Sequence, residues 1–158
     1  MKIETFEGKI DEKTGKALLA SVAKALLGSE DMPAELELLP KSGNKVIVSE
    51  GFTRSVFLGL KELNNCVHAK YNGKKTNNVY DVFLMLPESG MSSDEIWEQL
   101  AAKWKVKKHK KRTILFREVP YQGFVGAIRL DNLLLGISRS KNEKEMGRRF
   151  DTILKTME

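Results

Sequence analysis

The sequence contains one cysteine and no apolar run of about 18 residues. The single thiol, Cys66, excludes an internal disulfide framework and says almost nothing about the redox environment. The missing apolar run predicts that no helix spans a membrane, and the first seven residues lack the apolar stretch of a signal peptide. We therefore predict a soluble chain, with cytoplasm and periplasm both open as compartments.

Histidine is also scarce, and no catalytic, metal or cofactor signature is present. Cys66 and His68 would lie on one face of a strand, but zinc sites usually show paired Cys or His motifs that are missing here. Gly73 and Lys74 look like the end of a phosphate-binding loop without its first glycine or its Ser/Thr. Ser49 lacks the first glycine of a nucleophile elbow. We predict no metal site, no cofactor and no catalytic residue.

The composition is that of one globular domain. Of 158 residues, 41% are hydrophobic and 30% are charged. This length is enough for one well-buried core and short for two. We predict a single α+β domain over residues 1–158.

Apolar periodicity predicts three helices and six strands. The first helix is capped by Thr14 and ends at Gly28, the second begins at Ser92 with a capping box, and the third carries an apolar stripe over 146–157. The predicted strands cover 45–49, 66–71, 79–86, 113–119, 124–130 and 133–137. Residues 52–63 are ambiguous and favour irregular structure with a short helical turn.

The order of these elements favours an α+β sandwich. It predicts a mostly antiparallel sheet flanked by helices, with two strand-rich halves that are each closed by an amphipathic helix. The strand over 79–86 is apolar on both faces, which places it centrally in a sheet covered on both sides.

Several short segments resemble an uncharacterised family of exported bacterial domains. They are the apolar strand ending at Leu86, Trp97, and the segments Phe57-Leu58-Gly59, Ala69-Lys70-Tyr71, Val125-Gly126 and Leu135-Gly136. The resemblance covers roughly residues 36–155 and implies an exported or periplasmic domain with no catalytic residues to transfer. The element order also resembles the Mog1/PsbP-like sandwiches, which implies an accessory or partner-binding role.

One segment carries the whole charge imbalance of the chain. In this basic run (residues 103–112), seven of ten residues are cationic. They are Lys103, Lys105, Lys107, Lys108, Lys110, Lys111 and Arg112. Because the run carries seven positive charges and the chain has a net charge of +6, the other 148 residues sum to −1. The basic run is therefore the strongest functional candidate.

The basic run has three interpretations. As the last turn of a helix followed by a loop, its cations would interact with the helix dipole and solvate a surface. As a continued helix, it would align its lysines for nucleic acid, against which stand the near-neutral remainder and the lack of a clear exposed aromatic platform. As a Lys-rich patch, it would dock an acidic protein or an anionic lipid surface.

We predict a non-enzymatic binding or accessory module that docks an anionic partner at the basic run. Nucleic-acid binding is the first alternative, and an unrecognised enzyme is the second. Glu50 and Arg54, in a polar stretch around Gly51, and Tyr121, in a turn expected to be exposed, are candidate walls of a ligand pocket. The sequence leaves the oligomeric state open.

Overall fold

The computed structural model of the chain describes residues 34–41, 45–73, 78–88 and 91–157. Within them the strands are β1 (Lys45–Thr53), β2 (Cys66–Asn72), β3 (Val79–Met85), β4 (Lys105–His109), β5 (Arg112–Val119), β6 (Gly123–Leu130) and β7 (Leu133–Ser140). The α-helices are α1 (Ser93–Ala101) and α2 (Glu143–Leu154), and short 3₁₀ turns lie at Ala34–Leu38 and Phe57–Gly59. The predicted helix over 14–28 lies outside the described residues, so it stays a prediction, as does the single domain over 1–158.

All seven strands form one antiparallel sheet in the order β1-β2-β3-β7-β6-β5-β4. The strand β3 lies inside the sheet and pairs with β2 and β7. This confirms the predicted α+β class, the antiparallel sheet and the central position of the strand that is apolar on both faces.

Side chains of successive strand residues fill two hydrophobic clusters on opposite faces of the sheet. Along β3, Val82 and Leu84 belong to the cluster that contains the buried residues of α2. Phe83 and Met85 belong to the cluster that contains the buried residues of α1. Each helix therefore covers one face, and the alternation of side chains along a strand explains the doubly apolar pattern.

The start of α1 is fixed by the predicted capping box. Ser92 Oγ accepts a hydrogen bond from the Glu95 amide at 3.2 Å, and the Glu95 carboxylate accepts one from the Ser92 amide at 2.7 Å. Ile96 and Leu100 of this helix are buried, and so is Trp104, although the helix ends at Ala101.

Within the described part of the chain, no helix is long and apolar enough to cross a membrane.

Two strands extend by three or more residues beyond their predicted ends. β1 continues to Thr53 instead of ending at 49, because a bulge between Val46 and Gly51 lets the strand resume its pairing with β2. β7 continues to Ser140 instead of 137, again across a register shift, opposite residues 124–126 of β6. The irregular segment predicted over 52–63 is thus confirmed only after Thr53, with its short helical turn at Phe57–Gly59.

Candidate anion-binding surface

The basic run forms a β-hairpin. It leaves α1 through a turn, forms β4, reverses at Lys110 with a φ of 54°, and enters β5 at Arg112. Register pairs from Lys105↔Phe116 to His109↔Arg112 hold the run extended. The predicted helix end with a loop is therefore wrong for most of the run, and so is the continued helical stripe. Because strand side chains alternate, the cations are divided between two faces of the sheet.

The side of β4 that faces α2 is held by acidic residues of that helix. Lys107 forms an ion pair with Glu143, while Asp151 accepts from Lys110 Nζ at 2.6 Å and lies 3.1 Å from His109 Nε2. Glu143, Gly147 and Asp151 recur every four residues and share one helical stripe.

Gly147 allows the close approach of α2 to β4. A Cβ atom at this position would lie 2.7 Å from the imidazole ring of His109. Any side chain here would push the helix away from the hairpin. Lys107 and Lys110 therefore have a structural role, because they attach α2 to the hairpin.

We expect Asp151→Asn to weaken this attachment in a pH-dependent way. The hydrogen bond from Lys110, with further help from His109, holds the pKa of Asp151 below its ordinary value. A lowered folded-state pKa contributes stability above the unfolded-state pKa, and this contribution is lost as the pH falls through the folded-state pKa. Urea unfolding should show a loss of at most about 1 kcal/mol at pH 7 and none at low acidic pH.

Glu118→Gln is the matched control for this prediction, because Glu118 is exposed on β5 and makes no ion pair with any described residue. It should leave the free energy of unfolding nearly unchanged at both pH values. An Asp151→Asn loss that persists unchanged at low pH would contradict the assignment to its charge.

The side of the hairpin that faces α1 borders a groove of about 360 Å³. The residues that line it come from α1, the hairpin and the end of β6. They are Trp97, Lys111, Arg112, Thr113 and Arg129. One of these residues, Arg129, forms an ion pair with Asp94 of α1.

Strand register places three polar side chains, two of which line the groove, in a row on this face. Lys108 of β4 pairs with Thr113 of β5. Ile114 pairs with Ile128 of β6, so that Thr113 and Arg129 lie one residue further along their strands. Neighbouring strands lie about 4.8 Å apart, so the Lys108 and Arg129 backbones are separated by about 10 Å with Thr113 between them.

The other cations of the hairpin have no acidic partner among the residues that the structure describes. Within the described ranges, Lys105, Lys108, Lys111 and Arg112 make no ion pair. All four are exposed. The seventh cation, Lys103, follows α1, and its charge helps to lower the pKa of Glu62. Burial alone would raise that pKa, but the hydrogen bond from Trp104 and the charges of Arg117 and Lys103 lower it.

The hairpin also lies at the edge of the sheet. β4 is the last strand in the sheet order and carries three lysines. Lysines on an edge strand discourage pairing with other strands, which gives part of the charge a protective role. This role does not require the groove or the cations at the tip of the hairpin.

The three residues predicted as pocket walls do not come together. Glu50 lies in β1 and forms an ion pair with Lys45 of the same strand, and Arg54 follows β1 directly. Tyr121 is fully exposed in the turn between β5 and β6. β1 and β6 are separated by three strands in the sheet order, so the topology corrects this prediction.

Cys66 and His68 project from β2 on the α1 side of the sheet. Cys66 is fully buried in the hydrophobic cluster, and burial raises the pKa of its thiol. His68 stacks on Phe57 with ring centroids 4.5 Å apart, and its Nε2 lies 3.0 Å from Thr53 Oγ1. Burial lowers the pKa of the His68 imidazole. Among the described residues, no group of three or more His, Cys, Asp or Glu side chains could hold a metal ion.

Sequence reasoning missed Arg129 and assigned Trp97 to the core alone. Trp97 is only partly buried against the cluster and also lines the groove. Arg129 is an exposed residue between Ile128 and Leu130, and this polar position in an apolar strand was the available signal. Arg129 lies close to Thr113 because of the register between β5 and β6, and that register cannot be predicted from the sequence.

No protein-family model, no curated protein and no solved structure matches this chain.

Proposed function

We propose that the chain is a non-enzymatic binding or accessory module that docks an anionic partner through the tip of the β4–β5 hairpin. The observation that carries this proposal is the uneven pairing of the basic run. Lys107 and Lys110 are paired with acidic residues of α2. Among the cations beside the groove, Arg129 alone pairs with a described carboxylate, that of Asp94. A cluster of unpaired cations creates a local positive potential that attracts anions.

Three features support a binding role for this surface. The unpaired cations are exposed, they border a concave groove, and they come from a hairpin whose backbone is fixed by pairing with β5. A rigid backbone keeps charges at fixed spacings, so less conformational entropy is lost when a partner binds.

The resemblance to exported bacterial domains belongs to the same proposal. The observed order of three strands, a helix, four strands and a helix supports a Mog1/PsbP-like sandwich with two strand-rich halves. Domains of that kind are mostly accessory or partner-binding modules, and the resemblance favours a bacterial envelope setting.

We expect charge reversal at the hairpin tip to weaken binding to heparin, a polyanion without aromatic groups. The triple variant Lys108→Glu, Lys111→Glu, Arg112→Glu should lower the affinity by at least about tenfold at 0.1 M salt. The slope of the log–log salt dependence should become shallower by about 3, because each lost contact removes about 0.9. Isothermal titration at several salt concentrations measures both quantities.

The matched control is the triple variant Lys144→Glu, Arg148→Glu, Lys155→Glu. These three cations are exposed on or directly after α2 and change the net charge by the same amount. The control should keep most of the heparin affinity. Equal losses in the two variants would mean that net charge alone attracts heparin and would overturn the proposed docking surface.

A further inference from the structure

The groove beside the hairpin tip combines an aromatic ring with cations. Trp97 lies on α1 and is partly buried, so one part of its indole packs against the core while the groove contains another part. Lys111 and Arg129 supply the positive charge, and Thr113 supplies a hydroxyl. Arg112 also borders the groove, but it pairs with His109, so its side chain belongs to the α2 face. A volume of about 360 Å³ falls near the lower end of small-ligand pockets, which hold roughly 300–1,000 Å³.

We infer that this groove binds single-stranded nucleic acid, with one base stacked on Trp97 and the adjoining phosphates held by Lys111 and Arg129. This inference rests on the proposed docking function and names its partner class. Aromatic side chains beside a positively charged groove are the usual means of binding single strands, since every base offers a flat face to stack. Arginine adds planar, two-pronged contacts to phosphate oxygens.

The composition of the groove favours a nucleic acid over an acidic protein. Carboxylate side chains need cations but gain little from an indole at the same site. A nucleotide unit places a flat aromatic base and an anionic phosphate close together, which matches the neighbouring positions of Trp97 and Arg129. The fold therefore brings an aromatic residue next to these cations, which the sequence did not reveal.

The row across the strands gives the groove a continuation toward the edge of the sheet. Lys108 lies beyond Thr113 on β4, the last strand in the sheet order. A polymer that fills the groove can therefore extend past Lys108. The geometry points to a strand of several nucleotides rather than to a free mononucleotide.

A single strand fits this site better than a duplex. Bases in a duplex are stacked on one another and cannot present a face to Trp97 without being unpaired, which costs free energy. Asp94 pairs with Arg129 at the groove, so it competes with phosphate for one of the cations. Because Asp94 is mostly exposed, solvent screens this competition.

The test measures the fluorescence anisotropy of a labelled oligothymidylate of about 15 nucleotides, a length that covers one such site. The same affinity is measured for four comparison ligands, which are an abasic oligomer of equal length and charge, a duplex of the same length, poly-glutamate and heparin. We expect the oligothymidylate to bind at least about tenfold more tightly than the abasic oligomer, since one stacked base is worth that much. Trp97→Leu should abolish this difference, whereas Trp97→Phe should keep part of it.

Tyr121→Leu is the matched aromatic control, because Tyr121 is fully exposed at the far end of β5. It should leave all affinities unchanged. Heparin binding should survive Trp97→Leu, and a cooperative urea transition should show that the variant is folded. Equal affinities for the oligothymidylate and the abasic oligomer would overturn the inference, and so would poly-glutamate or the duplex binding more tightly than the single strand. In those cases the docking function still stands if hairpin charge reversal removes the binding, and it fails separately if that reversal has no effect.

Discussion

We expect Gly136→Ala to lower the free energy of unfolding by about 3 kcal/mol or more, although it adds a single methyl group. Gly136 lies in the central strand β7, directly opposite Phe83 of β3. A Cβ atom at this position would overlap the Phe83 ring. Phe83 is fully buried, and its ring is held at the edge of Phe57 with centroids 5.2 Å apart. The ring therefore has no free space into which it can move. Urea unfolding measures the loss.

A double-mutant cycle separates this overlap from other effects of the substitution. Phe83→Leu alone should cost about 1.5 kcal/mol, because it removes buried carbon from the cluster. In that background Gly136→Ala should cost much less than it does in the parent, since the smaller side chain leaves room for the methyl group. Additive losses would show that the methyl group is not opposed by Phe83.

The elements that the sequence predicts well depend on local signals. The Ser92 cap is a contact over three residues, and the doubly apolar strand ending near Met85 is visible as an uninterrupted run. The tight connection at Asp131 and Asn132, which links β6 to β7, is likewise local. Such features need no knowledge of which strands become neighbours.

The basic run could not be placed in the same way. Lysine has a low preference for strands, so nothing in residues 105–109 alone indicates β4. The strand forms because each residue has a partner on β5, and that partner is set by the tertiary fold. The division of the cations between an α2 side and a groove side follows from the same pairing, so it could not be predicted from the sequence either.

The residues of the predicted pocket and those of the observed groove could not be grouped correctly for a related reason. Glu50 and Tyr121 looked alike in sequence as polar or aromatic residues near a glycine, yet the sheet order separates their strands. Trp97 and Arg129 looked unrelated, yet they line one groove. Proximity between distant segments depends on strand order and register, which hydrophobic patterns constrain only weakly.

The largest loss of stability is expected from Arg149→Met on α2. The Arg149 guanidinium is buried, with 7% of the residue exposed. It donates to the carbonyl oxygens of Ser138 and Arg139, both at 3.1 Å, to Asn78 Oδ1 at 2.6 Å, and to Glu145 Oε1 at 3.2 Å. These bonds attach α2 to the end of β7 and to the start of β3.

Methionine has a comparable length but takes the guanidinium donors away from all four acceptors, of which Glu145 Oε1 keeps a hydrogen bond from Asn78 Nδ2 at 3.2 Å. Removing one partner of a buried ion pair typically costs about 3–5 kcal/mol, because the remaining charge is poorly solvated. We expect a loss of about 4 kcal/mol in urea unfolding. Arg148→Met is the matched control, since Arg148 is the exposed neighbour on the same helix, and it should change the free energy of unfolding by less than about 0.5 kcal/mol. Similar losses in both variants would contradict the assigned role of the buried guanidinium.

Arg149→Lys then distinguishes hydrogen bonds from charge. Lysine keeps the positive charge near Glu145, but its ammonium cannot reproduce the planar arrangement that reaches two backbone carbonyls and two side chains at once. It also loses the flat contact of the guanidinium with the Tyr80 ring, whose centroid lies 4.4 Å from the Arg149 Cζ. We therefore expect Arg149→Lys to recover less than half of the stability lost in Arg149→Met. Full recovery would mean that charge compensation of Glu145 is the dominant contribution and that the bonds to β7 add little.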